Sequence, residues 1–577
     1  MYAARAAKPK LSLSIAASTN SSRPALSLKS PTAMAIPRTP LSPSPLSPTA
    51  RNTKLNQRGF STTTQQATFA YANPASSKSI LKKNTSPSSG LSSKRIQFSG
   101  EPVVYCVTPI ENTEDYYGGY VKMTRDERRW MQRSDDTSVA IVEKHGGPSA
   151  SPTRSSLHFL ENITADSREY GGIHPLVAQD SHQENMAKLV SKALRHLPPA
   201  EFTSVEDVDR IIALPSATGQ TVHDLRRKPD FISVTRGPGM RSNLSIGLDT
   251  AKGLSVAYQI PLVGVHHMQA HLLTPRLSAS LQAEHGEAGT ALSYPDFPFM
   301  SILVSGGHSL LVHSKSIVDH EILASTYDIA IGDALDKIAR VLLPESYLQQ
   351  SKTTMYGKML ESFAFPNGPS DYAGYRPRAT RGEEVVKLKN EQWGWSFALP
   401  FAETKKMEFS FAGVTSRTHK LVGDKKQKWE AEGKTGDGFM SDDERIALAR
   451  AAMTICFEHL ASRTLIGLDA PGQQPGHKNE LADINYLVIS GGVGANQFLR
   501  KVLRSSLDIR GYSHVEIVAP PPYLCTDNAA MIGWAGIEMF EAGWRSDLGC
   551  RALRKWTLDA RADDGGILGP KDWVKFN

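Results

Sequence analysis

Short apolar runs rich in β-branched residues alternate along this chain with longer stretches in which apolar positions recur every three or four residues. The first pattern predicts buried strands and the second amphipathic helices. Strand-like runs are the end of Ser134–Val142, then Asp230–Thr235, Pro261–Val265, Phe299–Val304, Leu310–Ser314, Tyr486–Ser490 and Val515–Ala519. A helix is expected over Ser181–Leu197, where Met186, Leu189, Val190 and Leu194 share one face. Another spans Ser242–Tyr258, whose small residues Gly247, Ala251, Gly253 and Ala257 suit close packing on a sheet. Others follow Val265, cover Asp333–Leu342 and Asp442–Leu465, start at Gln497, and run Ala529–Phe540. Thr203–Ile212 reads as a short helix. Strand and helix in alternation is the α/β pattern. Segments 278–298, 365–396, 421–442 and 468–482 are polar and read as insertions or loops, and 541–577 as an irregular tail.

A length of 577 residues allows two or three domains. The net charge of +8 is unevenly spread. Residues 1–100 hold 14 Lys and Arg and no acid, which leaves 52 basic against 58 acidic residues in the rest. A globally basic nucleic-acid binder is thereby excluded, and any RNA contact must use local patches. The leader is rich in Ser, Ala and Arg and poor in large apolar residues, the composition of a mitochondrial transit peptide. Arg58-Gly59-Phe60-Ser61 resembles a matrix-protease cleavage site. We therefore expect a transit peptide over 1–60, a linker over 61–130 and a mitochondrial matrix location. The four cysteines form no C-x-x-C pair, so neither a zinc ribbon nor a disulfide framework is indicated. No apolar run reaches the roughly 18–20 residues of a membrane span, and no membrane partner is expected.

Candidate chemistry begins where the Pro261–Val265 run ends in His266-His267-Met268-Gln269-Ala270-His271. His267 and His271 are four apart and share one helix face, where two imidazoles can converge on one metal ion. The competing reading is an ordinary strand-to-helix junction with satisfied histidines; His266 points elsewhere. Two buried strands run into the same Ser-Gly-Gly turn, at Ser305-Gly306-Gly307 and Ser490-Gly491-Gly492. Glycine there lets backbone approach a phosphate, with amide N–H groups free to face an anion. Together with the acidic turn Asp135-Asp136-Thr137, they suggest a two-lobed nucleotide-binding fold of the actin, hexokinase and heat-shock chaperone type, whose phosphate hairpins face each other across a cleft. Asp527, between a strand and a helix, reads as a third oxygen ligand for the histidine pair, a helix N-cap, or both.

The segments Ser134–Ile141, Val234–Gly239, Gly264–Leu273, Leu303–Ser309, Val488–Arg500 and Cys525–Gly536 together resemble, in order, the motifs of the tRNA N6-adenosine threonylcarbamoyltransferases, and the leader resembles that of the family's mitochondrial branch. The resemblance implies an actin-like α/β fold with a first lobe over 131–275, an insertion at 276–298 and a second lobe over 299–540. It implies transfer of threonylcarbamoyl from threonylcarbamoyl-adenylate to N6 of adenosine 37 in tRNAs reading codons that start with A. It assigns His267, His271 and Asp527 as ligands of one divalent metal, iron or zinc. Leu303, Val304, Ser305, Gly306 and Gly307 would contact the adenylate, and Asp336, Gly357 and Asn496 its adenosine part. The partners it implies are tRNA, threonylcarbamoyl-adenylate and a second copy in a homodimer. His308 is the candidate general base.

One segment departs from the family. Its first strand, which runs into Glu-Thr-Ser-Cys-Asp-Asp/Glu-Thr, is replaced here by Trp130-Met131-Gln132-Arg133-Ser134-Asp135-Asp136-Thr137 after the charged run Arg125–Arg129. Such charges are costly in a central strand. Either the strand is supplied from elsewhere, or residues 101–133 come from a mis-joined gene model. Three other functions compete. A zincin peptidase needs Glu after the first histidine, where Met268 stands. A small-molecule kinase of the same fold needs carboxylate-held Mg²⁺ and no histidine pair. An inactive scaffold would be consistent with the altered first strand.

Overall fold

Continuous aliphatic runs become the centre of the largest sheet because strands covered on both faces must be apolar throughout. In a computed structural model of the chain, residues 136–146, 153–166, 175–200, 209–215, 224–285, 294–349, 356–469, 481 and 484–576 are described. The leader, the linker and the departing segment Trp130–Asp135 lie outside them. The large sheet has six strands. In chain order they are β7 (Phe299–Val304), β8 (Ser309–Ser314), β9 (His320–Thr326), β10 (Glu408–Phe409), β11 (Tyr486–Ser490) and β12 (Glu516–Val518). Their spatial order is β10-β9-β8-β7-β11-β12, with β7, β8 and β9 antiparallel and β11 and β12 parallel to β7. Every residue of β7 and β8 is buried.

The earlier strands form separate pairs: β1 (Asp136–His145) antiparallel to β2 (Arg154–Thr164), β3 (Ile211–Leu214) antiparallel to β4 (Asp224–Arg227), and β5 (Ile232–Gly237) parallel to β6 (Leu262–His266). Helices α1 (Pro175–Leu194) and α2 (Arg241–Tyr258) pack on β1 and β5 respectively and on each other. Among the described residues no strand pairs with the free edges of β1 and β5. Helix α9 (Ala529–Glu541) lies across both pairs. It comes close through glycine: a methyl on Gly536 would sit 2.5 Å from Ser233 Cβ, and one on Gly533 3.1 Å from Val142 Cγ2.

The remaining helices are α3 (His267–His285), α4 (Ile331–Leu342), α5 (Gly357–Ala364), α6 (Ala412–Ala431), α7 (Asp442–Leu468) and α8 (Gln497–Ile509). Helices α4, α7 and α8 cover the large sheet in one apolar cluster, while α3 and α9 join β7, β8 and the C-terminal segment in another.

Several expectations are corrected. Helix α1 begins at Pro175 rather than Ser181; of the short helix expected over Thr203–Ile212, residues 203–208 lie outside the described residues, and Ile211–Leu214 is a strand, held by pairing with Asp224–Arg227. Helix α3 extends through His285 into the expected insertion. Helix α6 occupies part of the expected loop at 421–442, because Val414, Thr415, Thr418 and Val422 give it a narrow buried stripe beneath otherwise charged residues. The C-terminal tail is not irregular: β13 (Trp544–Ser546) pairs with β14 (Trp573–Lys575), and Trp556 and Ile567 are buried. No helix among the described residues is long and apolar enough to cross a membrane.

Candidate metal centre and substrate cleft

Helix α3 starts directly at the end of β6, so the last strand residue and the first helical turn fall at one sheet end. His267 opens the helix and His271 follows one turn later, with ring centroids 4.8 Å apart. Asp527 reaches them from the loop before α9. Its Oδ1 lies 2.9 Å from His271 Nε2 and 3.5 Å from His267 Nε2. All three ligand atoms fall within 4.8 Å of one another. The cap of α9 is Asn528, whose side chain accepts from Met531 N. Asp527 is therefore not that cap, and its carboxylate is left to the histidines.

Burial alone would raise the Asp527 carboxyl, but the charges and hydrogen bonds of His267 and His271 hold it well below the ordinary carboxylate value. Burial pushes His271 down, partly offset by its bond to Asp527. A divalent ion at this point would need the carboxylate ionised and both imidazoles deprotonated. His271 Nδ1 is buried with no hydrogen-bond partner. Two imidazole nitrogens and one carboxylate oxygen converging on a point fit zinc or iron. Three further bonds fix the centre. Ser490 Oγ donates to the His271 carbonyl at 2.7 Å, Asn162 Nδ2 to the Asp527 carbonyl at 3.4 Å, and Ala529 N to Ser138 Oγ at 2.8 Å.

The two Ser-Gly-Gly turns do not face each other across a gap. They end adjacent parallel strands, with Ser490 opposite Leu303, and the second leads into a 3₁₀ turn rather than a hairpin. Gly491 takes φ 92° and ψ 163°, and a methyl there would lie 2.4 Å from the Val304 carbonyl oxygen. Nor are the glycine amides of the first turn all free. Ser305 Oγ accepts from Gly307 N at 3.2 Å and from His308 N at 3.1 Å, a hydroxyl-closed turn. Gly332, in the first turn of α4, donates to the Ser305 carbonyl at 3.2 Å and has no room for a Cβ against Gly306.

One continuous cavity of about 2350 Å³ is lined by His267, His271, Asp527, Leu303, Ser305, Gly306, Gly307, His308, Asp336, Gly357 and Asn496. Of the residues expected to contact substrate, Val304 alone is off its wall; it is fully buried in the sheet. Asp336 Oδ1 accepts from Gly357 N at 2.7 Å, which joins the start of α5 to α4. Asn496 caps α8 through Oδ1, at 3.0 Å from Leu499 N.

Asp136, Ser138, His182 and Glu361 also line the cavity and carried no individual role in the sequence reading. Asp136 lies in the acidic turn singled out there, while Asp135 lies outside the described residues. Burial, followed by repulsion from Asp527, raises the Asp136 carboxyl against the lowering effect of its Thr164 hydrogen bond. His182 Nδ1 lies 2.8 Å from Thr137 Oγ1. Glu361 accepts from Gln497 N at 2.8 Å. Nothing in the spacing of His182 or Glu361 marks them; only the fold brings them to the cleft.

The family model described as "TsaD: tRNA N6-adenosine threonylcarbamoyltransferase" matches residues 222–534. A mitochondrial tRNA N6-adenosine threonylcarbamoyltransferase of Schizosaccharomyces pombe is 33% identical over 76% of this chain and 87% of its own length. A mitochondrial one of Rattus norvegicus is 31% identical over 71% and 79%, and a Zymomonas mobilis one 28% identical over 76% and 93%. Among solved structures, the crystal structure of T. kodakarensis HypF overlaps 54% of this chain and 40% of its own at 14% identity, with a TM-score of 0.28. With a family model spanning more than half its length and relatives above 30% identity, the chain belongs to the tRNA N6-adenosine threonylcarbamoyltransferase family.

Proposed function

We propose that this protein transfers the threonylcarbamoyl group from threonylcarbamoyl-adenylate to N6 of adenosine 37 in tRNAs reading codons that start with A, and releases AMP. The observation that carries the reading is the shared cavity: the His267, His271 and Asp527 cluster and the adenylate candidates line one wall system. In the reaction N6 attacks the carbamoyl carbon, an N–C bond forms, the bond from that carbon to the phosphate oxygen breaks, and AMP leaves with the electron pair. His267, His271 and Asp527 would hold a zinc or iron ion, which when bound supplies charge stabilisation to the acyl-adenylate oxygens. The turn at Ser305–Gly307 positions the acyl-phosphate, and Asp336, Gly357 and Asn496 hold the adenosine. Asn496 has its amide nitrogen for this, because its oxygen caps α8. His308, on the cavity wall, takes the N6 proton in this scheme.

An actin-like two-lobed arrangement, a homodimer and the mitochondrial matrix complete the proposal. A mitochondrial location is supported by the acid-free leader and by relatives named as mitochondrial, and the matrix by the cleavage-site-like Arg58-Gly59-Phe60-Ser61. A peptidase is not favoured, since Met268 occupies the general-base position and is buried in an apolar cluster.

The test is purified full-length protein loaded with zinc or iron and given threonylcarbamoyl-adenylate and tRNA, with nucleosides read by mass spectrometry. Modified adenosine should form. H267A, H271A and D527A should each reduce bound metal well below one ion per subunit and product at least about 100-fold, the upper end of what even an outer-shell change costs. Wild-type turnover by H271A, or no product from the metal-loaded protein, would reject the reading.

A further inference from the structure

His266, the histidine left over by the metal pair, is 1% exposed and bonded at both ring nitrogens. Its Nδ1 accepts from Met268 N at 3.1 Å and more weakly from Gln269 N at 3.4 Å. Those amides belong to the first turn of α3, where backbone N–H groups have no intrahelical acceptor. Its Nε2 lies 3.0 Å from the Trp556 carbonyl oxygen. A neutral imidazole has one donor and one acceptor nitrogen, so these partners assign Nε2–H as donor and Nδ1 as acceptor. His266 is thus a side-chain cap on the metal-ligand helix, and the cap is itself held by the C-terminal segment.

That segment is fastened on both sides. Toward β5 and β6, Gly264 N donates to Ser546 Oγ at 2.9 Å, Leu553 N to the Arg236 carbonyl at 2.9 Å, and Arg236 Nε to the Arg551 carbonyl at 3.0 Å. The buried Arg236 also pairs with Asp572. The Trp556 ring packs against His266 at 4.7 Å between centroids, and its Nε1 donates to the Gly566 carbonyl. Toward β9, Ile322 N donates to Asp559 Oδ2 at 3.0 Å and Ala560 N to the His320 carbonyl at 3.1 Å. Trp556 therefore sits in a strap stretched between β5–β6 and β9.

We propose that His266 and this strap form a positioning unit for the metal centre: the strap fixes the His266 ring, the ring holds the first turn of α3 closed, and the closed turn aims His267 and His271 at Asp527. The proposal rests on the metal-centre reading above. The geometry requires it because His267 lies in the very turn that His266 caps, while His271 lies one turn deeper. Fraying of that turn would separate the two ligands without disturbing the rest of the helix.

The full-length protein and three variants test it. In H266N the amide oxygen falls near the position of Nδ1, keeping the cap and losing Trp556. In H266Q the amide reaches toward Trp556 and the cap is lost. H266L does neither. Zinc affinity by chelator competition, the visible spectrum of the Co²⁺ form and the melting temperature of the metal-free protein are read for each. H266N should bind zinc more weakly than wild type by less than about tenfold, the share carried by the Trp556 anchor, whereas H266Q and H266L should bind roughly 10–100-fold more weakly with altered Co²⁺ spectra, the range for outer-shell changes; wild-type affinity in H266N would remove the strap from the unit. The proposal fails if H266L keeps wild-type affinity and spectrum, or if all three lose affinity only in step with melting temperature. If H266L does not fold, the contrast between H266N and H266Q still decides. Zinc binding absent from the wild type would instead reject the metal-centre reading itself.

Discussion

Gly491→Ala tests the contact between the two Ser-Gly-Gly turns. At φ 92° and ψ 163° the backbone lies in a region that side chains rarely enter, at a cost of about 1–3 kcal/mol. The new methyl would also sit 2.4 Å from the Val304 carbonyl oxygen, within 2.9 Å of its carbon, with backbone rather than a flexible side chain in the way. Relieving such overpacking costs another 1–3 kcal/mol or so. The stiffer unfolded chain returns only about 0.4–1 kcal/mol of this. The net is about 1–5.5 kcal/mol, to be read as a lower urea midpoint at unchanged slope. Because Val304 leads into Ser305, the shift should also weaken adenylate binding. The control is the neighbouring Gly492→Ala, which meets nothing within 4 Å and should change stability by under about 0.5 kcal/mol. Equal effects of the two substitutions, or none from Gly491→Ala, would show that the turns do not bear on each other as described.

Burial raises the Asp136 carboxyl, so the folded state holds that proton to higher pH than the unfolded chain does. Stability should therefore fall as pH rises from about 4, the unfolded value, toward the raised folded value. Asp136→Asn should be more stable than wild type at pH 7 and equal to it below about pH 3.5; urea melts at both pH values check this. Arg445 is 1% exposed and donates to the carbonyls of Leu342, Met440 and Asp437 and to the Asp437 carboxylate. Arg445→Ala should cost about 1–3 kcal/mol by the same melts, because it leaves these carbonyls without their donor, while the Asp437 carboxylate, 44% exposed, returns to water.

The parts legible in the sequence were those set by short-range pattern. The strand at Phe299–Val304 is buried on both faces and reads as an unbroken apolar run. His267 and His271 meet because they are four apart on a helix, a local relation. Asp527 is 256 positions from His271, and no periodicity could join them; the motif resemblance did. What sequence missed was tertiary. Helix α6 carries so many charges that only its four buried residues, set by neighbours, mark it as helical in context. Ile211–Leu214 is a strand because Asp224–Arg227 pairs with it. The C-terminal segment has no periodic stripe, yet Trp556 is buried by a fold it helps to close. His266 looked spare because its partner lies 290 positions away.

The lack, among the described residues, of a strand paired to the outer edges of β1 and β5 has a dynamic consequence. Among the described residues the β1–β2 pair shares no backbone hydrogen bond with β5–β6, and its residues are mostly half-buried, whereas β6, β7 and β8 are wholly buried. The pair is tied to the rest through side chains, as where Lys144 meets Glu541, and through the single amide of Ala529 on Ser138. Its opening would break no strand of the large sheet, so we expect it to exchange as a separate unit. Amides of Val139–Glu143 should swap for deuterium under native conditions well before those of Phe299–Val304, by an opening that leaves the large sheet folded. Because β1 carries Asp136 and Ser138 to the metal centre, each such opening would also unseat Asp527, making the residence time of the metal a readout of how often the hairpin lifts.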